Sequence, residues 1–254
     1  MDMRAEKVRQ LYEKYPYPSR DIVSAKKLKK YSNWLLRIIH KKNAYWRGKN
    51  VLELGCGTGE LANSIASEGG RVSAIDFSHS SIKKAKELSE KFSLKTICFE
   101  EKDILSYRNT KRFDTVIALG SLHHTTDARK GFLVAVKHTK KGGIVIVGLY
   151  NKYSRFRHRV RRLIIRVFAG DNFEKRISVG KKLFGGNQSR AWLADKYGQV
   201  HESYHSVSEV LKWFEEEEID FVASKPVFQT PVIDEIKWFL GKRNAFFVMV
   251  GKKK

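Results

Sequence analysis

The sequence contains little cysteine, little proline and no long apolar run. Its 254 residues include only two cysteines, Cys56 and Cys98, and four prolines. Two cysteines are too few for a disulfide framework or a cysteine-rich zinc site, so we expect no bound metal. No apolar segment follows the first Met or reaches the length of a membrane span. We therefore expect a cytoplasmic protein without membrane insertion, and the sequence gives no sign of an obligate protein partner.

Acidic residues are also scarce relative to basic ones. Fifty Lys and Arg residues stand against 27 Asp and Glu residues, which gives a formal net charge of +23 and a pI near 10.0. Such a surface favours binding of a polyanion, with RNA or DNA as the leading partners. The surface chemistry of a thermophile, rich in Lys, Arg and Glu, is an alternative explanation. It accounts for many charges of both signs but not for the excess of one sign.

Three alternating glycines follow the first apolar strand. Residues 51–54 are typical of a buried strand, glycines stand at positions 55, 57 and 59, and a helix is predicted to begin at Leu61. Glycine allows backbone dihedrals closed to other residues and lets a ligand approach the main chain closely. The spacing Gly-x-Gly-x-Gly differs from the Gly-x-Gly-x-x-Gly of dinucleotide-binding turns. On this motif alone, a tight turn without a ligand remains an open alternative.

Acidic residues end the next elements of the pattern. Asp76 ends a second apolar strand about 20 residues after the turn, where an acid accepts hydrogen bonds from ribose hydroxyls. Phe77 is placed to lie against an adenine ring. Ser78 and Ser80 can cap the helix that runs to about residue 92. A third acid, Asp103, follows a strand at about residues 96–101.

A fourth strand, Phe113–Leu119, leads into the loop Gly120-Ser121-Leu122-His123-His124. In order and spacing, these segments resemble the motifs of the class I methyltransferases that depend on S-adenosylmethionine (SAM). The resemblance implies SAM as cofactor and S-adenosylhomocysteine (SAH) as product. It places these residues at the cofactor: Glu53, Gly55, Cys56, Gly57, Gly59, Asp76, Phe77, Ser78, Asp103, Ile104, Gly120 and Ser121.

The same resemblance implies an α/β fold with a seven-stranded, mostly parallel, doubly wound sheet. The expected strand order is 3-2-1-4-5-7-6, with strand 7 antiparallel and helices on both faces. Residues 142–150 are predicted as the fifth strand, and residues 221–227 and 244–250 as the last two. Ser206 is predicted to open the helix at residues 208–218. We divide the chain into a basic helical arm (1–50) and a SAM-binding domain (51–254) with a basic insertion (151–205).

The arm carries fourteen Lys or Arg residues against four acids. It is predicted to contain helices at residues 4–14 and about 24–42, separated by Tyr15-Pro16-Tyr17-Pro18. The two prolines end the first helix and hold an extended turn that displays Tyr12, Tyr15 and Tyr17. Exposed tyrosines beside basic residues can stack on a flipped base or close over the cofactor. Structural packing of these tyrosines is an equally open alternative.

The insertion contains a second basic zone, with twelve Lys or Arg residues and two acids in residues 152–190. Residues 154–168 are predicted to form an amphipathic helix, with six arginines opposite an apolar face. Such a helix can present a solvated face or lie on an anionic membrane. We favour phosphate contacts, because the guanidinium fork pairs with phosphate oxygens at fixed geometry. The arginines assigned to the substrate are Arg155, Arg157 and Arg161.

Three segments narrow the resemblance to a subgroup of uncharacterised bacterial and archaeal class I methyltransferases. They are the Tyr-Pro-Tyr-Pro segment, residues 148–153, and Asp195-x-Tyr197-x-x-x-His201-Glu202. The resemblance implies an acceptor pocket that contains Tyr150, Asn151, Tyr197, His201 and Glu202. Each of these residues taken alone is also typical of a polar residue satisfied within the core.

His123 or His124 is predicted to accept a proton, because a neutral imidazole has a pKa near the required range. Tyr150 and Asn151 complete the predicted catalytic set. We expect a SAM-dependent RNA methyltransferase that modifies a nucleobase nitrogen of rRNA or tRNA, with the exocyclic amine of cytosine as one target. A small-molecule methyltransferase is the first alternative. A non-catalytic RNA-binding protein that retains a SAM fold is the second.

Overall fold

The computed structural model describes residues 3–185, 188–241 and 245–254. Its strands are β1 (Asn50–Leu54), β2 (Arg71–Asp76), β3 (Ile97–Glu101), β4 (Phe113–Leu119), β5 (Thr139–Tyr150), β6 (Ile219–Lys225) and β7 (Phe246–Lys253). Its helices are α1 (Met3–Lys14), α2 (Ala25–Ile38), α3 (Glu60–Ser67), α4 (His79–Lys91), α5 (Ala128–His138), α6 (Phe156–Ala169), α7 (Phe173–Phe184), α8 (Arg190–Leu193), α9 (Val207–Glu216) and α10 (Pro231–Leu240). Short 3₁₀ helices span Asn43–Trp46 and Leu122–His124, and one π-helical turn spans Ala194–Gly198.

The seven strands form one sheet in the order β3-β2-β1-β4-β5-β7-β6. Neighbouring strands from β3 to β5 pair in parallel, and β7 pairs antiparallel with both β5 and β6. The predicted class, strand order and strand direction are therefore confirmed. The parallel strands β1 and β4 are almost continuously buried because helices cover both faces of the sheet.

Two hydrophobic clusters fill the two faces of the sheet. One packs α5 and α9 against β4, β5 and β7, with Phe132 and Phe214 stacked at a ring distance of 5.7 Å. The other packs α2 and α3 against β1 and β2, and Trp46 is fully buried there. The carboxyl ends of β1, β2 and β4 remain at one edge of this core. That edge is where parallel α/β sheets bind ligands.

The predicted helix boundaries differ from the structure by a few residues. Ser24 caps α2, Ser78 caps α4, and Ser206 forms a reciprocal capping box with Glu209 on α9. Ser80 lies inside α4, so the prediction of a cap there is wrong. The fifth strand begins at Thr139, three residues before its predicted start. In the last predicted strand, Asn244 lies outside the described residues.

The insertion after β5 contains α6, α7, α8 and the π-helical turn. These elements form a third cluster around Ile165, Ile177 and Tyr197, and Leu11 of α1 packs into the same cluster. The arm and the insertion therefore contact each other on one side of the sheet. The division into arm, domain and insertion remains a prediction. Within the described residues, no helix is both long and apolar enough to cross a membrane.

Candidate active site

The glycine turn lies directly after β1 and adopts left-handed backbone conformations. Gly55, Gly57 and Gly59 have φ angles of +77°, +53° and +79°. A Cβ atom on Gly55 would lie 2.3 Å from Cβ of Ser121, and one on Gly57 would lie 2.4 Å from the carbonyl oxygen of Tyr17. These positions require glycine because two segments approach the turn closely: the loop of residues 120–124 and the arm. Gly59 caps α3 and contacts α4, away from the cavity.

Two buried carboxylates lie near the glycine turn: Glu53 in β1 and Asp76 at the end of β2. Burial raises the pKa of Glu53 well above its usual value, and its Oε2 atom has no hydrogen-bond partner among the described residues. Asp76 accepts hydrogen bonds from the backbone N–H groups of Gly57 (2.9 Å) and Ser78 (3.0 Å). Burial raises the pKa of Asp76 to about 6. Both side chains line the central cavity.

A second group of predicted residues surrounds the same end of the cavity. Phe77, Asp103 and Ile104 line it, and Asp103 also accepts a hydrogen bond from the backbone N–H of Ser106. Ser78 does not line it, because its side chain caps α4 by accepting from the N–H of Ser81. The prediction that Ser78 contacts the cofactor is therefore not supported by its position. Its backbone N–H orients Asp76 instead.

These residues fit a SAM cofactor. The partnerless buried oxygen of Glu53 offers an acceptor for the positively charged methionine end, and each Asp76 oxygen keeps a lone pair for a ribose hydroxyl. The cavity wall beside these acids is completed by Cys56, Gly120 and Ser121. Ser121 is held there by donating a 2.6 Å hydrogen bond to the carbonyl oxygen of Leu54.

The cavity has a volume of about 1180 Å³. Its floor is the sheet edge, and its other walls come from the arm and the insertion. The arm contributes Tyr12, Tyr17, Tyr31 and Trp34, and the insertion contributes Asp195. The cavity is therefore a partly open chamber that three parts of the chain line.

The arm is fixed over the glycine turn by backbone contacts. The N–H of Thr58 donates to the carbonyl oxygen of Tyr17 (3.2 Å), and the N–H of Ser19 donates to Oγ1 of Thr58 (2.9 Å). Glu13 accepts from the N–H groups of His79 and Ser80 and so caps α4 from the arm. Burial of the turn explains why these contacts involve main-chain atoms.

The tyrosines of the arm are not displayed on an exposed turn, so that prediction is wrong. Tyr12 and Tyr17 face the chamber, whereas Tyr15 donates a hydrogen bond to Glu174 of the insertion (2.9 Å) and packs in the third cluster. All three are partly buried because the arm folds back onto the sheet edge and the insertion. Tyr15 matches the open alternative of structural packing, whereas the closing of Tyr12 and Tyr17 over the cofactor remains a prediction.

A polar group forms the acceptor end of the chamber. The hydroxyl of Tyr12 donates a 2.9 Å hydrogen bond to Oδ1 of Asp195, and Nε2 of His124 lies 4.0 Å from the same oxygen. Burial raises the pKa of Asp195 to about 6, although the Tyr12 hydrogen bond lowers it. Burial lowers the pKa of His124 to about 4. At neutral pH the group therefore combines an ionised carboxylate with a neutral imidazole.

His123 is a structural residue, contrary to its predicted catalytic role. Its side chain is fully buried, its ring stacks on Tyr150 at a centroid distance of 3.9 Å, and burial lowers its pKa well below the usual value. Neither ring nitrogen has a hydrogen-bond partner within the described parts of the chain. Tyr150 itself lines the chamber, with the Arg155 guanidinium 3.5 Å above its ring.

Asn151 also has a structural place. Its Nδ2 donates a 2.5 Å hydrogen bond to Glu235, and its Oδ1 accepts from the N–H groups of Tyr153 and Ser154. These bonds turn the chain from β5 into the insertion. Asn151 is fully buried and does not line the chamber, so its predicted catalytic role is not supported by its position.

The predicted acceptor residue Glu202 is the centre of a buried ion cluster. Its side chain, 1% exposed, pairs with Arg155 and lies 3.3 Å from Arg162 and 3.9 Å from His158. Although burial opposes ionisation, the guanidinium groups of Arg162 and Arg155 hold the pKa of Glu202 below its usual value. This cluster joins the beginning of the insertion to its end, because all four residues lie within residues 151–205.

The remaining predicted substrate residues lie outside the chamber. The backbone carbonyl of His201 lies 3.3 Å from Nδ1 of His124, so His201 positions that ring. Tyr197 is buried in the third cluster, where Gly180 packs against its ring. Arg157 and Arg161 are on the outer surface of α6. The structure thus brings together Tyr12, Tyr17, His124 and Tyr150, but not the other predicted acceptor residues.

Sequence reasoning missed Asp195, which stands in a quoted motif but was not assigned a role. The signal in the sequence was that Asp195 lies two residues before Tyr197, in the same motif as the residues predicted to form the acceptor pocket. It also missed Tyr31 and Trp34, which line the chamber from α2. Helical spacing alone does not distinguish these aromatic residues from others that pack on the sheet.

The fold and the chamber define the chain as a class I SAM-dependent methyltransferase. A family model described as a methyltransferase domain matches residues 46–225, and the chain belongs to this family. The predicted enzyme class and cofactor are confirmed. The narrower subgroup with the Tyr-Pro-Tyr-Pro segment is not established by this match.

Two curated relatives show what proteins of similar sequence do. The chain is 35% identical over 102 residues to a ubiquinone biosynthesis O-methyltransferase of Rickettsia typhi, covering 40% of this chain and 41% of that protein. It is 25% identical over 177 residues to a malonyl-[acyl-carrier protein] O-methyltransferase of Bacillus cytotoxicus, covering 69% and 60%. The chain thus spans about two fifths of the length of the Rickettsia relative.

Solved structures of low sequence identity share the fold. Magnesium protoporphyrin IX methyltransferase from Synechocystis PCC 6803 with bound SAH aligns with a TM-score of 0.57 at 14% identity, covering 98% of this chain and 93% of that chain. The N-methyltransferase NodS from Bradyrhizobium japonicum WM9, also with SAH, aligns with a TM-score of 0.56 at 15% identity, covering 100% and 99%.

The prediction of an RNA methyltransferase is wrong. The curated relatives are named as O-methyltransferases of ubiquinone biosynthesis and of malonyl-[acyl-carrier protein], and neither is named for RNA. The comparisons likewise lend no support to rRNA processing or to a thermophilic origin. Part of the basic insertion has an internal role, because Arg155 and Arg162 pair with Glu202, and Arg176 pairs with Asp171 at 2.7 Å.

Proposed function

We propose that this chain methylates a small-molecule acceptor that carries a hydroxyl oxygen. The observation that carries this proposal is the acceptor end of the chamber, where Tyr12, His124 and Asp195 meet. Tyr12 comes from the arm and Asp195 from the insertion, so both segments cover the site at once. An acceptor must therefore fit inside the chamber.

The chamber is large enough for a cofactor and a modest acceptor. Pockets for single drug-sized ligands have volumes of about 300–1,000 Å³. The observed volume of about 1180 Å³ slightly exceeds that range. A folded polymer would need an open groove, whereas Tyr17 and Ser19 are bonded to the glycine turn at this place.

Asp195 is the proposed proton acceptor. A general base works best when its pKa lies near the operating pH, and the Asp195 pKa of about 6 meets this condition. His124, with a pKa of about 4, stays neutral and orients the acceptor by a hydrogen bond. Burial raises the pKa of Tyr12 well above its usual value, so Tyr12 remains a hydrogen-bond donor.

When bound, the cofactor supplies an electrophilic methyl group on a sulfonium. A hydroxyl acceptor would transfer its proton to Asp195 as its oxygen takes up the methyl group. Glu53, Asp76 and Asp103 would hold the cofactor beside the acceptor, and this is mainly a task of positioning.

The named activities of the relatives support an oxygen acceptor. Both the Rickettsia and the Bacillus proteins are O-methyltransferases by name. Transfer of that property to this chain is part of the proposal, because the chain aligns with only part of each relative. The Tyr-Pro-Tyr-Pro subgroup, the cytoplasmic location and the role of residues 1–50 as a lid are further proposals. The contacts of Tyr17 and Ser19 with Thr58 support the lid.

The test uses purified full-length protein with SAM labelled in the methyl group. The acceptor pools are total RNA and the aqueous and organic low-molecular-mass extracts of the source organism. We expect label in a low-molecular-mass product that resists ribonuclease. Label that appears only in RNA and disappears with ribonuclease would contradict the proposal.

The matched variants are His124→Gln at the acceptor end and His79→Gln on the surface, where the His79 side chain is 72% exposed. We expect the first to reduce transfer about 10²-fold, within the range of general acid–base and positioning effects, and the second to leave it unchanged. Equal rates for both variants would show that His124 does not contribute to methyl transfer.

A further inference from the structure

Helix α6 is amphipathic, but its apolar side faces outward. Leu163, Val167 and Phe168 are 64%, 74% and 71% exposed, and Phe156 is 52% exposed. The opposite side carries Arg155, His158 and Arg162, which contact Glu202 in the buried ion cluster. A globular helix normally buries its apolar side. The outward apolar side of α6 therefore needs a partner outside the described fold.

Helix α10 extends this surface. Its residues Val232, Ile233, Ile236 and Leu240 are 51–68% exposed, whereas Glu235 and Trp238 on its other side are buried. The rings of Phe156 on α6 and Phe239 on α10 meet edge to face at a centroid distance of 6.1 Å. We call this continuous apolar surface, made by α6 and α10, the α6–α10 face. It consists of Phe156, Val160, Leu163, Ile164, Val167, Phe168, Val232, Ile233, Ile236 and Leu240.

Exposed arginines border the α6 part of this face. At 3.6 residues per turn, Arg157 and Arg161 project along one side of the apolar stripe, and Arg159 and Arg166 along the other. All four are exposed. Lys237 of α10 is also exposed, with 68% of its side chain accessible. An apolar stripe between two rows of arginine matches the depth profile of a lipid surface, where acyl chains lie below anionic phosphates.

We propose that the α6–α10 face docks on an anionic lipid bilayer surface. The apolar side chains would enter the boundary between headgroups and acyl chains, and the bordering arginines would contact lipid phosphates. The formal net charge of +23 adds attraction to the same surface. This is docking along the interface and involves no membrane-spanning helix.

Charge favours a lipid surface over a second copy of the chain. Two copies that joined through this face would bring the same rows of arginine together, and each copy carries +23. A nucleic acid would pair with the arginines but would leave the apolar stripe in water. An anionic bilayer satisfies both the charge and the apolar area.

Helix α6, which carries part of the docking face on its outer side, begins beside the chamber. Arg155 directly precedes α6, and its guanidinium lies 3.5 Å above the ring of Tyr150, which lines the acceptor end. Docking would therefore act on the element next to the acceptor end. The proposal does not depend on the identity of the acceptor, because it rests on the surface of α6 and α10 alone.

The test is co-sedimentation of the full chain with vesicles of phosphatidylcholine alone or mixed with phosphatidylglycerol. We expect binding to the anionic vesicles, weakened by salt, and much less binding to the neutral ones. The triple variant Leu163→Ser, Val167→Ser, Phe168→Ser should bind at least about tenfold more weakly, because it removes the most exposed apolar groups. The double variant Arg157→Gln, Arg166→Gln should lose about tenfold or more.

The control is the triple variant Met3→Ser, Val23→Ser, Val222→Ser, which removes exposed apolar side chains elsewhere and should bind like the wild type. Thermal unfolding shows that every variant folds. The proposal is overturned if the wild type does not sediment with anionic vesicles, or if the α6 triple variant binds as well as the wild type. Sedimentation velocity that shows a dimer lost in the α6 triple variant, without vesicle binding, would assign the face to a second copy.

Discussion

The cofactor end and the acceptor end of the chamber are assembled over very different distances along the chain. At the cofactor end, Gly57 donates to Asp76, 19 residues away, across two neighbouring parallel strands. At the acceptor end, Tyr12 donates to Asp195, 183 residues away, and neither residue belongs to the sheet. The first end is built by short motifs whose spacing follows from strand geometry. The second depends on how the arm and the insertion fold onto each other.

The largest expected effect concerns the acceptor end alone. Asp195→Asn keeps an oxygen that accepts from Tyr12 but removes the carboxylate, so a hydroxyl acceptor loses its base. We expect kcat to fall about 10²–10⁴-fold, with SAM affinity unchanged in calorimetry. Asp220→Asn, at a carboxylate whose side chain is 61% exposed, is the matched control and should keep full activity. Loss of SAM binding in Asp195→Asn would mean that the two ends are not separable.

The next largest effect is expected at the buried ion cluster, which joins the two ends of the insertion. Glu202→Gln leaves Arg155 and Arg162 buried without a compensating charge, and we expect a loss of about 3–5 kcal/mol in the free energy of unfolding. Urea denaturation measures it. Glu217→Gln breaks the partly exposed pair with Arg129 and should cost less than about 1 kcal/mol. Equal costs for the two variants would show that the cluster does not hold the insertion.

The glycine turn tests the cofactor end. In Gly57→Ala, the new Cβ would lie 2.4 Å from the Tyr17 carbonyl oxygen, so the arm or the turn must move. We expect about hundredfold weaker SAM binding by calorimetry. Gly142→Ala also places Ala at a positive φ (+70°), but nothing lies within 4 Å of its Cβ. If Gly57→Ala binds SAM as well as Gly142→Ala does, the close approach of the Tyr17 carbonyl to the turn does not support the cofactor end.

The smallest predicted effect separates two tyrosines of the arm. Tyr12→Phe removes the hydrogen bond that lowers the pKa of Asp195, so the midpoint of the rate profile should move toward higher pH. Below the midpoint this gives a lower rate than that of the wild type. Tyr15→Phe removes a hydroxyl that bonds Glu174 instead, and its profile should stay in place. A shift in both variants would indicate a general loosening of the arm.

The sequence predicted the cofactor end well because its residues follow strand ends. The class, strand order and direction of the sheet are confirmed, and Glu53, Asp76 and Asp103 all line the chamber. The prediction that Ser78 contacts the cofactor is not supported, because a serine after a strand can either cap a helix or contact a ligand. Here Ser78 caps α4. Local spacing does not distinguish these two uses of a hydroxyl.

The acceptor end could not be predicted in the same way. His123 and His124 are adjacent in sequence, yet one ring is buried against Tyr150 and the other lies beside Asp195. The sequence pattern assigns Arg155 to phosphate contacts because it does not show the buried pairing with Glu202, which lies 47 residues away along the chain. Periodicity identified α6 as amphipathic but did not show which side faces the core.

The most direct test of the acceptor end is the pH dependence of methyl transfer into the low-molecular-mass product. Asp195 must be ionised to accept a proton, and its pKa is about 6. The rate of the wild type should therefore rise through a midpoint near that pH and level off above it, whereas Asp195→Asn should be slow and show no such step. An Asp195→Asn variant with the rate and the profile of the wild type would contradict the proposed acceptor end.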